Sequence, residues 1–243
     1  MYLFSLSLDN LLFYDMHYEP KEKLINLLKI KSSLKQKVYD NTLNAYKVLN
    51  AIQEKIAHNY NNHLQDQDER IKLNYQPRGD YENELKVAGD MLVFSMHTNV
   101  FEFNREHHIW QLPYVKENIL NSYCGIINVY NFLSDSFKYN RMEDLGYLIT
   151  RIFVNHENHF FVEGKRQSEY SYKHFEQQEI TEESLAAIVH TVIQYALEFD
   201  LLVPPYDQVK IASVAQVNQK IVNSRFQTGK RLGFKFNSDD VNE

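Results

Sequence analysis

The stretch Ile152–Arg166, IFVNHENHFFVEGKR, decides the fold class of this chain of 243 residues. It belongs to two β-rich runs, Tyr147–Val154 and His159–Glu163, separated by the polar residues Asn155–Asn158. Aromatic and β-branched residues on both sides of a short polar break predict a β-hairpin with its turn at that break. Because a hairpin pairs its strands antiparallel, the sequence predicts an antiparallel sheet in the middle of the chain.

The second run of this hairpin carries an acid and a lysine two residues apart, Glu163 and Lys165. Residues two apart in a strand point to the same face, so this carboxylate and this ammonium are predicted to be neighbours. Together they can hold a metal ion and a water molecule, or they can form a solvated ion pair. The sequence leaves both interpretations open.

An aspartate upstream, Asp144, completes a pattern with Glu163 and Lys165 that resembles the active site of the PD-(D/E)xK nuclease family. The resemblance implies that Asp144 and Glu163 bind Mg²⁺, a cation that prefers oxygen ligands, and that Lys165 orients the attacking water. Glu117 is a candidate for the helical glutamate of that family. No proline precedes Asp144, which is a departure from the family pattern.

Helical patterns flank the predicted sheet. Residues 21 to 76 contain no glycine or proline, and apolar residues recur at steps of four and three from Val38 to Ile56. This spacing predicts one long helix from about Pro20 to about His63, with a break near Ser32-Ser33 as an option. Thr181 as N-cap and an apolar stripe from Leu185 to Leu197 predict a second helix. A third is predicted from about Tyr206 to Asn223, with Phe226–Phe236 as a final strand or extended tail.

The remaining central segments are predicted as follows. Met91–Ser95 and Val100–Phe103 are predicted strands joined by a turn at His97-Thr98-Asn99. Ile126–Leu133 fits a strand and a buried helix equally well. Residues 59 to 84 are polar and are predicted to be a loop or a frayed helix end, with a turn at Pro77–Asp80. This polar region is the best candidate for a domain boundary.

The expected fold class is therefore α+β, with a long N-terminal helical segment, a central antiparallel sheet and two C-terminal helices. Residues 1–76 are predicted as the helical segment and residues 77–243 as the α+β domain, and one continuous domain is the other option. The order of elements is similar to that of GAF-like and PAS-like sensory modules, although fold similarity does not establish function.

Composition excludes several classes of protein. The chain has 7 glycines and neither GxGxxG nor GxxxxGK[ST], so a nucleotide site built on a glycine-rich loop is not expected. Its single cysteine, Cys124, excludes an internal disulfide and is predicted to pack as a small apolar residue. The first 15 residues lack a basic region, and no apolar run reaches membrane-spanning length, so a cytoplasmic location without membrane contact is expected.

Five histidines fall in the central region, with three glutamates nearby that are also potential metal ligands. Such a set can bind zinc or iron if the fold brings three or four of the side chains together. Three of the histidines lie at predicted turns, where exposed histidine is common. The histidines are His97, His107, His108, His156 and His159, and the glutamates are Glu102, Glu106 and Glu157.

The C-terminal part of the chain is basic, although the whole chain has a formal net charge of -6. Between Gln208 and Ser238 there are six basic residues and no acid. Interleaved with Phe226, Phe234 and Phe236, these residues can contact a phosphate backbone and stack on bases, or can dock on acidic protein surface. The candidate nucleic-acid contacts are Lys220, Arg225, Lys230, Arg231 and Lys235.

Two functions follow from these observations. The first is a cytoplasmic regulatory module without catalytic activity or cofactor, which binds a small ligand or a protein partner and can form a homodimer through the N-terminal helix. The alternative is a Mg²⁺-dependent nuclease of the PD-(D/E)xK type, with Asp144 and Glu163 as metal ligands and the basic C-terminal segment as substrate contact. An apolar pocket on the sheet favours the first, and a shared site for the two carboxylates favours the second.

Overall fold

The sheet of this protein is a six-stranded antiparallel meander in which strands that are consecutive in sequence are neighbours in space. A computed structural model describes residues 20–142, 144–165, 168–200, 203, 205–211 and 213–214. The predicted α+β class is confirmed, and so is the hairpin with its turn after Val154. The strands are β1 Asn74–Pro77, β2 Glu82–Val87, β3 Asp90–Met96, β4 Gly125–Leu133, β5 Tyr147–Val154 and β6 Phe160–Gly164.

The long N-terminal helix is also confirmed. It consists of α1, Pro20–Leu27, a π-helical turn, Leu28–Ser32, and α2, Ser33–His63, so the chain has a π turn where a break near Ser32-Ser33 was an option. No residue of α1 is buried, and five apolar side chains there and in the π turn remain exposed, Leu24 at 61%. The remaining α-helices in the described part of the chain are α3 Pro113–Glu117, α4 Ser134–Lys138, α5 Glu182–Leu197 and α6 Tyr206–Val209.

One face of the sheet forms the main core with α2 and α5. Leu49 and Ile52 of α2 and Leu185 and Ile188 of α5 pack with the apolar residues that alternate along the strands. Helix α2 and the sheet approach each other closely at Gly125, where a Cβ atom would lie 2.8 Å from the Cβ of Thr42. As predicted, Thr181 caps α5, accepting a hydrogen bond from the backbone N–H of Ser184.

The opposite face of the sheet carries a second, smaller core at the end nearest the β5–β6 turn. Phe153 of β5 and Phe161 of β6 stack there with ring centroids 4.8 Å apart, and Phe175 contacts Phe161 edge-on. Side chains from the segment Phe101 to Cys124 pack against these rings and cover this part of the sheet. Cys124 is fully buried in this core, as predicted, and burial raises the pKa of its thiol.

Two segments differ from their predicted structure. Val100–Phe103 is not a strand paired with β3, because β2 and β4 already occupy both edges of β3, and Phe101 makes only an isolated bridge to Cys124. The polar region 59 to 84 is not only loop and helix end, because it contains β1 and the start of β2. β1 is polar because it is an exposed edge strand, which needs no apolar face.

The structure decides one open alternative and bears on where two other predicted features lie. Ile126–Leu133 is strand, within β4. The boundary proposed between residues 76 and 77 falls inside β1, and α2 shares one core with the sheet. The third predicted helix is α6 over Tyr206–Val209, and its remaining length up to Asn223 lies largely outside the described residues, as do Phe226–Phe236 and the five candidate nucleic-acid contacts.

Candidate functional site

A row of polar side chains crosses five strands on the face of the sheet that α2 and α5 do not cover. The strand register places Glu82 opposite Ser95, Ser95 opposite Asn128, Asn128 opposite Arg151, and Arg151 opposite Glu163. Residues directly opposite each other point to the same side, so the row is continuous. Its neighbours in sequence, such as Met96, Ile127 and Ile152, point into the main core.

The row ends at a pocket of about 220 Å³ beside the second core. Three phenylalanines and an isoleucine form its apolar walls, Phe101, Phe103, Ile126 and Phe153. Its polar lining consists of Glu102, Asn104, Arg151 and Glu163. The pocket therefore combines aromatic side chains with charged groups of both signs, in the space between β5, β6 and the covering segment.

Glu163 is the central charged group of this pocket, with 27% of its side chain exposed. Its Oε2 atom accepts a hydrogen bond from Arg151 Nη2 across the strand pair. Its Oε1 atom lies 2.9 Å from His107 Nε2. The Arg151 guanidinium also lies over the Phe153 ring, 5.3 Å from its centroid, so that the same ring and carboxylate hold the cation from two sides.

Hydrogen bonding fixes the tautomer of His107. This residue precedes a short 3-10 helix, His108–Gln111, and its Nδ1 atom accepts the backbone N–H of Ile109 at 3.2 Å. Nδ1 must therefore carry a lone pair, and Nε2 must carry the proton that it donates to Glu163. Both nitrogens of His107 are thus engaged, and the histidine orients the carboxylate instead of offering a free base.

The structure does not bring Asp144 to Glu163. Asp144 accepts a hydrogen bond of 2.7 Å from Ser136 Oγ and lies 3.8 Å from Arg141 Nη1, and only 2% of its side chain is exposed. It precedes Tyr147 at the start of β5, whereas Glu163 pairs with Arg151 four residues further on, about 13 Å along the strand. The contacts given above, which involve described residues alone, are different for the two carboxylates, and the nuclease alternative, which needs a shared metal site, remains a prediction. The backbone N–H of Lys165 bonds to Ile149 O at 3.1 Å.

The two histidines at the β5–β6 turn were expected to be exposed, but they are largely buried. Only 14% of the His156 side chain and 16% of the His159 side chain are exposed to solvent. His159 belongs to a largely buried polar network centred on the Tyr114 hydroxyl, and His156 Nε2 lies 3.9 Å from the Glu157 carboxylate of that network. This hydroxyl donates to Glu157, and it accepts from Asn155 Nδ2 at 2.8 Å and from His159 Nδ1 at 3.0 Å. Burial, followed by the Glu157 carboxylate, raises the pKa of Tyr114. The sequence analysis missed this tyrosine because nothing in its local pattern indicates contact with the turn.

A second, larger depression of about 430 Å³ lies between α2 and the segment after β3. Its lining includes Lys35, Gln36, Tyr39 and Asn99, and none of these side chains is buried. It has the character of a shallow polar surface, with no convergent charged pair. The smaller pocket at Glu163 is therefore the stronger candidate site.

Among the residues that the structure describes, no group of three or more histidine, cysteine, aspartate or glutamate side chains is placed to hold a metal ion. Within the same residues, no helix has both the length and the apolar character needed to cross a membrane. No protein-family model matches the chain, and neither the curated proteins nor the solved structures contain a significant match. The function must therefore be argued from the geometry of the site itself.

Proposed function

We propose that this chain is a non-catalytic binding module that takes one side chain of a protein or peptide partner into the pocket at Glu163. The observation that carries the proposal is the convergence of an aromatic wall with the polar residues Arg151, Glu163 and His107 at the end of a polar row. Ligand sites commonly combine apolar walls with a few placed polar groups in this way.

The pairing of the charged groups supports binding over catalysis. A general base needs a lone pair that is free to take a proton, and a nucleophile needs such a base beside it. Both nitrogens of His107 are in hydrogen bonds, and among the described residues that line the pocket there is no serine, threonine, cysteine or lysine to act as a nucleophile. The groups lining this pocket orient one another, which suits recognition of a fixed shape.

The size of the pocket favours a side chain over a free cofactor or metabolite. Sites for drug-sized molecules are commonly about 300–1,000 Å³. At about 220 Å³ this pocket is smaller, and Arg151 of its lining lies opposite Asn128 of the polar row, which offers hydrogen-bonding groups to the rest of an extended segment. Extended peptides frequently bind with one anchoring side chain in a pocket and the backbone along a neighbouring surface.

The proposal is tested by selecting displayed random peptides on the full-length protein, in parallel with a double variant, Arg151→Ala with Glu163→Ala. The double variant removes one charge of each sign, so its net charge equals that of the wild type. A matched control is Glu69→Ala with Lys72→Ala, an ion pair outside the pocket. Peptides enriched on wild type and control but not on the double variant are expected.

The bound peptides are then located by NMR. They should shift amide resonances of residues 101–104, 126, 151–153 and 161–163, which surround the pocket. Equal enrichment on the wild type and the double variant, or shifts confined to another surface, would remove the proposal. Thermal unfolding of each variant, followed by circular dichroism, confirms that the comparison is between folded proteins.

A further inference from the structure

We infer that α1 and the π turn after it dock on a membrane surface that carries anionic lipids. The segment lies along the surface of the bilayer and does not cross it. Such a contact needs no apolar run of membrane-spanning length, which was the basis for expecting no membrane contact. Three observations carry it: grouped exposed leucines, lysines gathered around them, and a polar depression where the lysines continue. It does not depend on the pocket at Glu163.

The apolar side of this segment is exposed to solvent. Leu24, Leu27 and Leu28 follow the i, i+3, i+4 spacing that places side chains on one side of a helix. Leu24 and Leu28 are the most exposed of the three, at 61% and 63%, and no residue of α1 is buried. Grouped apolar side chains on a surface commonly mark a site for a protein partner or a membrane. Their removal from water is the first source of binding free energy.

Lysines flank these leucines in sequence, although the chain is acidic as a whole. Between Pro20 and Lys37 there are six lysines and one glutamate, in a chain whose formal net charge is -6. The side chains of Lys21, Lys23 and Lys29 are exposed. Clustered basic residues on an amphipathic helix are a pattern that binds anionic lipid. A second copy of the chain would bring six further lysines to this face, so charge complementarity favours an anionic surface.

The choice of lysine favours lipid over an acidic protein partner. All six basic residues of this stretch are lysines. A lysine carries a compact charge on a flexible stem, whereas arginine donates from a planar fork that matches carboxylates held in a fixed position. The apolar stems of the lysines can lie beside the leucines while the ammonium groups reach the headgroups. Mobile anionic headgroups therefore suit this segment well.

The lysines continue along α2 to the shallow depression of about 430 Å³. Lys31 and Lys35 lie over the Tyr123 ring, 5.4 and 5.7 Å from its centroid, which places both ammonium groups at the surface of the domain. The described residues that line the depression include one cation and no carboxylate: Lys35, Gln36, Tyr39, Thr98, Asn99 and Val100. A lipid headgroup can therefore enter the depression beside the segment that binds the bilayer.

The test is co-sedimentation of the full-length protein with vesicles of phosphatidylcholine, either alone or with about one third phosphatidylserine. Binding to the mixed vesicles is expected, at least about tenfold stronger than to phosphatidylcholine alone and weakened by added salt. Hydrogen exchange of residues 20–32 should slow when the mixed vesicles are added. Equal binding to both kinds of vesicle would overturn the requirement for anionic lipid.

The contribution of charge is measured with a pair of lysine variants. A lysine near an anionic membrane contributes about fivefold to the partition coefficient, so Lys21→Gln with Lys29→Gln should lower binding about 25-fold. The matched control is Lys47→Gln with Lys173→Gln, which removes the same charge from exposed positions outside the segment. The control should bind as the wild type does. Equal loss of binding in the two double variants would contradict a site at α1.

The contribution of the leucines is measured in the same assay. Leu24→Asn with Leu28→Asn should lower binding to the mixed vesicles at least about tenfold, because two apolar side chains no longer leave water. The control is Ile71→Asn, which removes an aliphatic side chain that is also exposed but lies outside the segment. None of the three side chains is buried, so thermal unfolding of both variants should match that of the wild type.

Failure of the wild type to bind the mixed vesicles would overturn this inference and leave the peptide pocket unaffected. Light scattering without vesicles would then identify the occupant of the apolar face. A dimer that Leu24→Glu dissociates would point to a second copy of the chain. A monomer would point to residues 1–19, which precede α1 in the same chain.

Discussion

Replacing Asn155 by alanine should destabilise the protein strongly, because this residue fixes the turn that places Glu163. Asn155 is 0% exposed at the end of β5. Its Oδ1 atom accepts the backbone N–H groups of Glu157 and His159, each at 3.0 Å, and its Nδ2 atom donates to the Tyr114 hydroxyl at 2.8 Å. One side chain therefore holds the turn closed and attaches it to α3.

The expected magnitude follows from these three hydrogen bonds. A hydrogen bond contributes about 1 kcal/mol net, so their loss lowers the free energy of unfolding by about 3 kcal/mol. Water can reach the backbone of Glu157, whose side chain is 41% exposed, and the Tyr114 hydroxyl keeps two partners. These features limit any further loss, so about 2–4 kcal/mol is the expected range, a large part of the stability of a typical domain.

The measurement is urea unfolding of the wild type and Asn155→Ala, followed by circular dichroism, with the midpoint compared at constant m-value. The matched control is Asn158→Gly in the same turn. Asn158 has a φ of 65°, a conformation that glycine adopts without steric cost, so this substitution should leave stability unchanged or slightly raised. A loss below about 1 kcal/mol for Asn155→Ala would show that the network does not hold the turn.

Four further predictions follow. Gly125→Ala should lower stability by about 1–3 kcal/mol, because its Cβ would lie 2.8 Å from the Cβ of Thr42; adding Thr42→Gly should restore part of the loss in the same urea assay. Burial lowers the pKa of His156 below its ordinary value of 6.5, because the folded protein favours the neutral imidazole. The free energy of unfolding is therefore highest above pH 6.5 and decreases as the pH falls below that value. In His156→Gln this decrease should be smaller. With Mg²⁺, wild type and Lys165→Ala should show equally negligible cleavage of DNA and RNA, and metal-dependent cleavage that Lys165→Ala abolishes would favour the nuclease alternative. The predicted homodimer should appear by light scattering and become monomeric when Leu24→Glu is introduced in the exposed α1, whereas a wild-type monomer would show that prediction to be wrong.

Local patterns in the sequence were sufficient for several elements of the fold. The α2 seam from Val38 to Ile56, the cap at Thr181 and the β5–β6 hairpin each depend on residues close together in the chain. Segments whose partners lie far away were predicted less well. β1 lacks an apolar alternation because it is an edge strand, and Val100–Phe103 has strand-like composition because it covers the second core.

The candidate site shows the same division between local and distant information. Arg151 was within reach of the sequence analysis, because a hairpin with its turn at Asn155–Asn158 places it opposite Glu163. To identify Arg151 as a site residue, one needs the register of the β5–β6 pair as well as the residue types. His107 is 56 positions away from Glu163 and reaches it only because β3, β4 and the second core bring the intervening segment over β6. A shift of one residue in the β5–β6 pairing would turn Glu163 to the helix-covered face and abolish the pocket, so the turn network at Asn155 and the recognition site depend on the same register.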